Sequence, residues 1–156
     1  MLKITVQYED FDLNHEQAEL LERCQHVGAV TAFTGLVRQD RDDRRTVKSL
    51  ILQHYPGMTE NHMRMAAEQA VKQFSLLGCT LIHRVGELGS GDQIVLVLTV
   101  SSHRKASLSA TEFLIDWLKT EVPIWKKQVF TDGSEQWVEA RKSDHAITQN
   151  WKDSLF

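Results

Sequence analysis

Lys119, Lys126 and Lys127 stand on the two sides of Pro123, within the stretch from Phe113 to Val129. A helix ending near Lys119 cannot run through Pro123, because proline lacks a backbone N–H and its ring clashes with the preceding turn. The chain must turn there, so ammonium groups from two different elements can converge. Trp117, Ile124 and Trp125 are the apolar side chains expected to wall such a place. Apolar walls and a second cation both disfavour the charged form of a lysine, which fits it for acid–base or nucleophilic work. The plainer alternative is a helix end that carries lysines because cations suit its dipole.

A second basic group is Ser101-Ser102-His103-Arg104-Lys105, placed where a strand should end and a helix begin. Free N–H groups at a helix start attract anions, and His103 and Arg104 would add charge-assisted donors. Basic residues in a first turn oppose the dipole, which points to an anionic partner. A hydroxyl cap followed by solvated cations is the alternative. Arg38 closes a β-rich stretch, where a lone arginine also fits plain surface. His54-Tyr55 and His83-Arg84 fit core or interface positions equally well. Arg38, His103, Arg104, Lys119, Lys126 and Lys127 thus sit at element ends with no carboxylate base in evidence. Such a set suits an anionic, phosphorylated small molecule and a reaction that builds negative charge.

Composition narrows the classes. A chain of 156 residues, 42% hydrophobic and 25% charged, reads as one soluble domain over 1–156 with a real core. The net charge of -3 argues against general nucleic-acid binding, although Arg38, Arg41, Arg44, Arg45 and Lys48 outnumber Asp40, Asp42 and Asp43 locally. Cys24 and Cys79 form no CxxC pair, and the seven histidines are scattered, so neither a metal site nor a redox dithiol is expected. Two free thiols in a reducing cytosol are the simpler reading. The glycines of Gly86 to Gly91 lie between strands and lack a following Lys-Ser/Thr, which favours a turn over a phosphate loop. Met1 to Tyr8 alternates like a strand rather than a signal peptide, and Ile94 to Leu98 is too short to span a bilayer. A cytoplasmic protein without a membrane segment is expected.

The elements that must position these residues follow from periodicity. Leu2, Ile4, Val6 and Tyr8 predict a strand. Asn14 is read as the cap of a helix reaching about Gln25, with Gln17 completing a capping box. Strands are expected over Val30 to Val37, Val47 to His54, Cys79 to Val85 and Gln93 to Ser101, with short ones over Trp125 to Phe130 and Gln136 to Ala140. Thr59 should cap a helix to Phe74, and a third helix should run from Ser102 or His103 to Lys119 or Glu121. The polar tail 141–156 reads as a loosely docked, mobile arm. Two helices each precede a strand, while the second and third strands are joined by a loop short enough for a hairpin. This mixed connectivity predicts an α+β fold with three main helices.

With those residues in view, the chain resembles the large, catalytic subunits of molybdopterin synthases over nearly its whole length. The resemblance is carried by Val30-Thr-Ala-Phe-Thr-Gly-Leu-Val-Arg38, His54-Tyr-Pro-Gly-Met-Thr-Glu60, His83-Arg-Val-Gly-Glu-Leu88 with Gly91-Asp92, and Ser102-His-Arg104. It continues through Asp116-Trp-Leu-Lys-Thr120, Pro123-Ile-Trp-Lys-Lys127 and Trp137-Val-Glu-Ala-Arg141. It implies an α/β-hammerhead type of α+β fold with mixed and antiparallel sheets, and a homodimer carrying one small ubiquitin-like subunit per protomer, a 2:2 heterotetramer. It further implies sulfur transfer from the small subunit's thiocarboxylated Gly-Gly tail to cyclic pyranopterin monophosphate, twice, to form a dithiolene. Lys119 would lie next to the thiocarboxylate and Lys126 would be the second essential lysine. Lys127 and Gln128 would continue the substrate-contacting stretch. Val37, Arg38, His103 and Arg104 would bind substrate, the last two across the dimer. No metal, other cofactor or nucleotide is implied at this step. The chain departs from the family at Leu36, where a basic residue is common, and at Gln128, where an acidic one is common. The rival classes are a non-catalytic dimeric module for a phosphorylated ligand or ubiquitin-like tail, and a small RNA-binding protein, which the acidic total and the lack of an aromatic-basic platform disfavour.

Overall fold

The alternation of Leu2, Ile4 and Val6 forms β1 (Leu2–Gln7), an edge of a four-stranded sheet. The computed structural model describes residues 1–39, 41–42, 45–139 and 141–155, the side chains of residues 41 and 42 excepted. β1 runs parallel to β5 (Gly78–Arg84), which pairs antiparallel with β7 (Gln93–Ser101), and β2 (Ala29–Leu36) completes the order β1-β5-β7-β2. Both central strands are covered on two faces, which is why they read as nearly unbroken apolar runs. One face packs against α2 (Met58–Phe74) and α3 (Arg104–Thr120) through Met63, Ala67, Ala70, Leu81, Val97, Phe113 and Leu114. The other meets α1 (Leu13–Glu22), where Leu20 packs on Ile82, Leu96, Leu98 and Val100.

A second, antiparallel sheet is built around β4 (Arg45–His54). On one side β4 pairs with β8 (Ile124–Phe130), which carries β9 (Glu135–Val138); it also pairs with β3 (Arg41–Asp42) and β6 (Gly86–Gly89). Leu52 and Leu88 of this sheet bury themselves with Ile94 of the first and with Val37 and Val85, which directly follow β2 and β5. The two sheets therefore meet along an apolar seam at the end of the first sheet where β5 stops.

Several expectations need correction. The second and third strands of the reading, β2 and β4, form no hairpin: they belong to different sheets. Val37 still exchanges backbone bonds with Gly91 and Asp92 at the tip of β7, then the chain leaves the first sheet. The segment 86–89, read as turn, is a strand that pairs with Leu50 and Leu52, because its alternating Leu88 faces the seam. Asp12, not Asn14, caps α1, its Oδ1 accepting from the His15 N–H at 2.8 Å. Gly57, at φ 85, precedes α2 in a conformation that suits glycine, and Glu60 accepts from its N–H. Thr59 lies inside the first turn, fully buried, where its hydroxyl accepts from the Tyr55 N–H and donates to the Pro123 carbonyl at 2.8 Å. The charged loop reading at Asp40, Asp43 and Arg44, and the strand end at Ala140, lie outside the described residues, as do the side chains of Arg41 and Asp42.

The tail is not a loose arm over its described length. It forms a fourth helix, α4 (Lys142–Leu155), docked on the end of α3. The Trp151 indole N–H donates to Asp116 Oδ2 at 2.7 Å, and its ring stands edge-on to Phe74 and Phe113. Thr148 and Thr120 share a hydroxyl bond of 2.7 Å, and Lys152 pairs with Glu121 at 2.8 Å. Both thiols are free, and burial pushes that of Cys79 up to about 12. Among the described residues no helix is long and apolar enough to cross a membrane, and no cluster of His, Cys, Asp or Glu could hold a metal ion.

The docking of α4 rests largely on one half-buried ring. Trp151→Ala is expected to cost about 2 kcal/mol, less than a fully buried aromatic would. Trp151→Phe, which keeps the packing but removes the donor to Asp116, is expected to cost about 1 kcal/mol. Hydrogen exchange resolved over 142–155 checks this: protection should fall there first, and equal exchange in Trp151→Ala and the parent chain would contradict it.

Candidate active site

The turn after α3 is set by packing on both of its sides. Leu118 and Val122 are buried, the Glu121 N–H still donates to Trp117, and Pro123 then ends the helix. The bond from Thr59 ties the Pro123 carbonyl to α2, while Ile124 opens β8 opposite His54. Lys119 in the last turn and Lys126 on β8 are thereby brought to the same place. Lys119 is exposed and Lys126 half-buried. Burial, then the Lys119 ammonium, hold the Lys126 pKa below its ordinary value, and Asp144 from the first turn of α4 acts against them.

Strand alternation separates the remaining residues of β8. Lys126 and Gln128 share the face of Ile124, which packs into the seam. Lys127 and Trp125 lie on the opposite face. Lys127 sits 2.9 Å from Glu135 and 5.4 Å from the centre of the Trp137 ring, and Trp125 is 48% exposed. Trp125 therefore does not wall the lysine pair; Trp117, stacked on Phe113, and Ile124 belong to the buried side.

Two histidines stand near the ends of strands on this side of the fold. His54 follows Leu52, the cross-strand partner of Lys126, on the same face of β4, with its Nε2 3.7 Å from Glu60. His83 is the next-to-last residue of β5 and is only 6% exposed; its Nδ1 lies 2.8 Å from the Arg84 carbonyl. Burial pushes the His83 pKa down to about 4; the Arg84 carbonyl opposes this, whereas Lys126 and His54 add to it. The reading that left His83 as a core residue had no signal for this, since the neighbours that matter come from two other strands.

Val37 and Arg38 belong to the same end of the molecule. Gly35, Val95 and His83 form one row across β2, β7 and β5, and Val37 is buried beside Leu52. Arg38 follows it, exposed. His103 and Arg104 do not join this group. They open α3 at the far end, lining an open concavity with Lys105, Leu108 and Ser109. No side chain caps that helix start, and Ser101 donates to the His103 carbonyl at 2.7 Å. Fifteen residues of helix separate Arg104 from Lys119, about 22 Å at the usual rise.

A family model described as MoaE protein matches residues 6–121. This chain belongs to the MoaE family. It is 43% identical to the molybdopterin synthase catalytic subunit of Mesorhizobium japonicum, covering 97% of this chain and 94% of that one. The Vibrio cholerae protein of the same description is 43% identical over 96% of this chain and 98% of its own. Among solved structures, the MoaE protein from Burkholderia ambifaria superposes with a TM-score of 0.83 at 43% identity, covering 97% of this chain and 99% of that one. Molybdopterin synthase from Staphylococcus aureus gives 0.80 at 27% identity over 88% and 98%. These likenesses bear out the α+β fold and the resemblance to catalytic subunits.

In this MoaE chain Lys119 and Lys126 stand together beside the apolar seam of the two sheets. Its ammonium pair can stabilise charge that develops on a bound anion, and its depressed lysine can give up a proton more readily than a solvated one. The buried imidazole gives a stability signature. Folded His83 stays neutral down to about pH 4, whereas an unfolded imidazole protonates near its ordinary value of 6.5. The unfolded chain takes up more protons across that window, so His83's contribution is fully present above 6.5 and is lost as pH falls toward 4. The loss amounts to about 3 kcal/mol. Urea unfolding at pH 7 and pH 4.5 is expected to show a smaller acid loss for His83→Gln than for the parent chain; parallel losses would contradict it.

Proposed function

We propose that this chain is the catalytic subunit of a cytoplasmic molybdopterin synthase, converting cyclic pyranopterin monophosphate to molybdopterin. The observation that carries the reading is the convergence of Lys119 and Lys126 at the sheet seam in a chain of this family. The sulfur comes from the thiocarboxylated tail of a small ubiquitin-like subunit, one per protomer. Exposed Lys119 is suited to meet that tail, since a terminal Gly-Gly segment has no side chains to bar its approach. Sulfur bonds to a side-chain carbon of the pterin, and the acyl group is then released to water as a carboxylate. Both steps build negative charge, which the Lys119 ammonium stabilises. Lys126 donates a proton toward the oxygen released when the cyclic phosphate opens, and Arg38 holds the phosphate. A second delivery completes the dithiolene.

His103 and Arg104 enter this scheme only from a second copy, because the length of α3 keeps them from the Lys119 of their own chain. A homodimer with shared sites, and a 2:2 complex with the small subunit, is the assembly that joins the two cationic groups. Gln128 and Lys127 complete the substrate-contacting stretch in this reading, Gln128 on the face of Lys126 and Lys127 beside Glu135.

Lys119→Ala is expected to lower dithiolene formation by about 10²- to 10³-fold while leaving the fold intact, since the side chain is exposed. Lys119→Arg is expected to fail as well, because guanidinium keeps the charge but neither the shape nor the readily lost proton of an amine. Near-normal turnover by folded Lys119→Ala would sink the assignment.

Shared sites make a sharper forecast. Arg104→Ala should weaken pterin binding by about ten- to a hundredfold, the worth of a charge-assisted bond. Mixing and re-associating Lys119→Ala with Arg104→Ala chains should then restore activity, because each mixed dimer regains one intact site. Random pairing gives about a quarter of the parent activity. No recovery in demonstrably mixed dimers would place both residues in the same chain's site, or in none.

A further inference from the structure

The carbonyl of Lys119 can accept no helical backbone bond, because the residue four places on is Pro123. A helix end with orphan carbonyls frays unless other groups hold it. The end of α3 is held from two other helices. On the side of α2, His62 Nδ1 lies 3.2 Å from the Glu121 carbonyl, beside the Thr59 bond to Pro123. The grip from α4 is broader. The Trp151 indole donates to Asp116 Oδ2 at 2.7 Å, and the Thr148 and Thr120 hydroxyls stand 2.7 Å apart. Lys152 Nζ lies 2.8 Å from Glu121 Oε1 and 5.4 Å from the centre of the Trp117 ring. Thr148 also lies 3.3 Å from the Asp116 carbonyl. A carboxylate near the C-terminal end of a helix opposes the dipole, and the indole N–H is the donor that answers it. Leu118 is buried in the core. Between Asp116 and Glu121, Lys119 is the residue left exposed.

We propose that α4 is a clasp that positions Lys119, with Asp116 and Trp151 as its fastening residues. Both act through the backbone of the last turn of α3. A lysine stem is long and flexible, so its ammonium is placed only as well as the Cα that carries it. The clasp takes hold of the residues on either side of Lys119 and leaves its side chain free to meet a ligand. Pro123 makes such an outside support necessary: the residue that stops the helix also withdraws the backbone donor that would have steadied Lys119.

This role rests on the proposed reaction for its purpose, but half of its test does not. Hydrogen exchange of the amides of 117–121 in the full chain reads the clasp without substrate. In Trp151→Ala those amides are expected to lose protection by about tenfold together with 142–155, while β5 and β7 keep theirs. Asp116→Leu removes the acceptor and should do the same. The double variant should lose no more than Trp151→Ala alone, because both changes break one contact. Asp116→Asn keeps an oxygen that accepts from the indole and should stay near the parent chain. In the dithiolene assay Trp151→Ala and Asp116→Leu are expected to lower kcat by about ten- to a hundredfold, with KM for the pterin held, since a small displacement of a catalytic group costs rate. Asp116→Asn should keep most of the parent kcat. Protection lost over 142–155 but unmoved over 117–121 would overturn the role. So would an unchanged kcat in Trp151→Ala, or a loss that lies in KM. A parent chain that forms no dithiolene would instead count against the proposed reaction, and the exchange at 117–121 would still decide on the clasp.

Discussion

Two ammonium groups that repel one another are held together here by bonds that involve neither. The constraint is the turn from α3 into β8. Buried Leu118 and Val122 fix the helix end, Pro123 stops it, and the buried hydroxyl of Thr59 ties the Pro123 carbonyl to α2. Pairing of β8 with β4 then fixes which residues face inward. A single-residue slip in that ladder would turn Lys127 into the seam and Lys126 out toward Glu135. The ordered repulsion is thus upheld by strand register and by a helix stop, both of which have many other contacts to sustain them.

That constraint also accounts for the division of labour between the ends of α3. The helix lies across β7 and β2, so its start and its finish reach opposite ends of the first sheet. Beneath it runs a buried polar seam, Thr99 bonded to Thr111 and to the Ser107 carbonyl, with Thr31 donating to Ser107. Polar groups that are satisfied only in one alignment resist sliding better than an apolar interface does. The register of α3 on the sheet sets where His103 and Arg104 emerge and where Lys119 arrives.

How much of this could be read from the residues alone depends on whether the deciding contact was local. Helix α3, the strand β7 and the stop at Pro123 rest on period and on proline, and they emerge nearly as expected. The convergence of Lys119 and Lys126 was legible for the same reason. The cap of α1 went astray because Asp12, Asn14 and their neighbours offer competing caps, and only the helix start decides among them. β6 was hidden by its glycines, since its one strong apolar residue, Leu88, matters only once β4 lies beside it. The helix α4 was missed because few of its residues are apolar; Trp151 is meaningful only against Phe74, Phe113 and Asp116, which come from two other helices. With α4 went Asp144, and with the seam went His83. Each is defined by what a distant element brings to it.

The charge at the seam is unevenly balanced: Lys119 repels Lys126, while Gln128, on the same face as Lys126, contributes no charge, and Asp144 offsets Lys126 only at a distance. An anion entering there would relieve the repulsion between Lys119 and Lys126 that is already present in the folded chain. Anything that binds the folded state alone also stabilises it. A carboxylate in place of Gln128 would ease the repulsion between the two lysines, but it would set a fixed negative charge against any anion drawn to them.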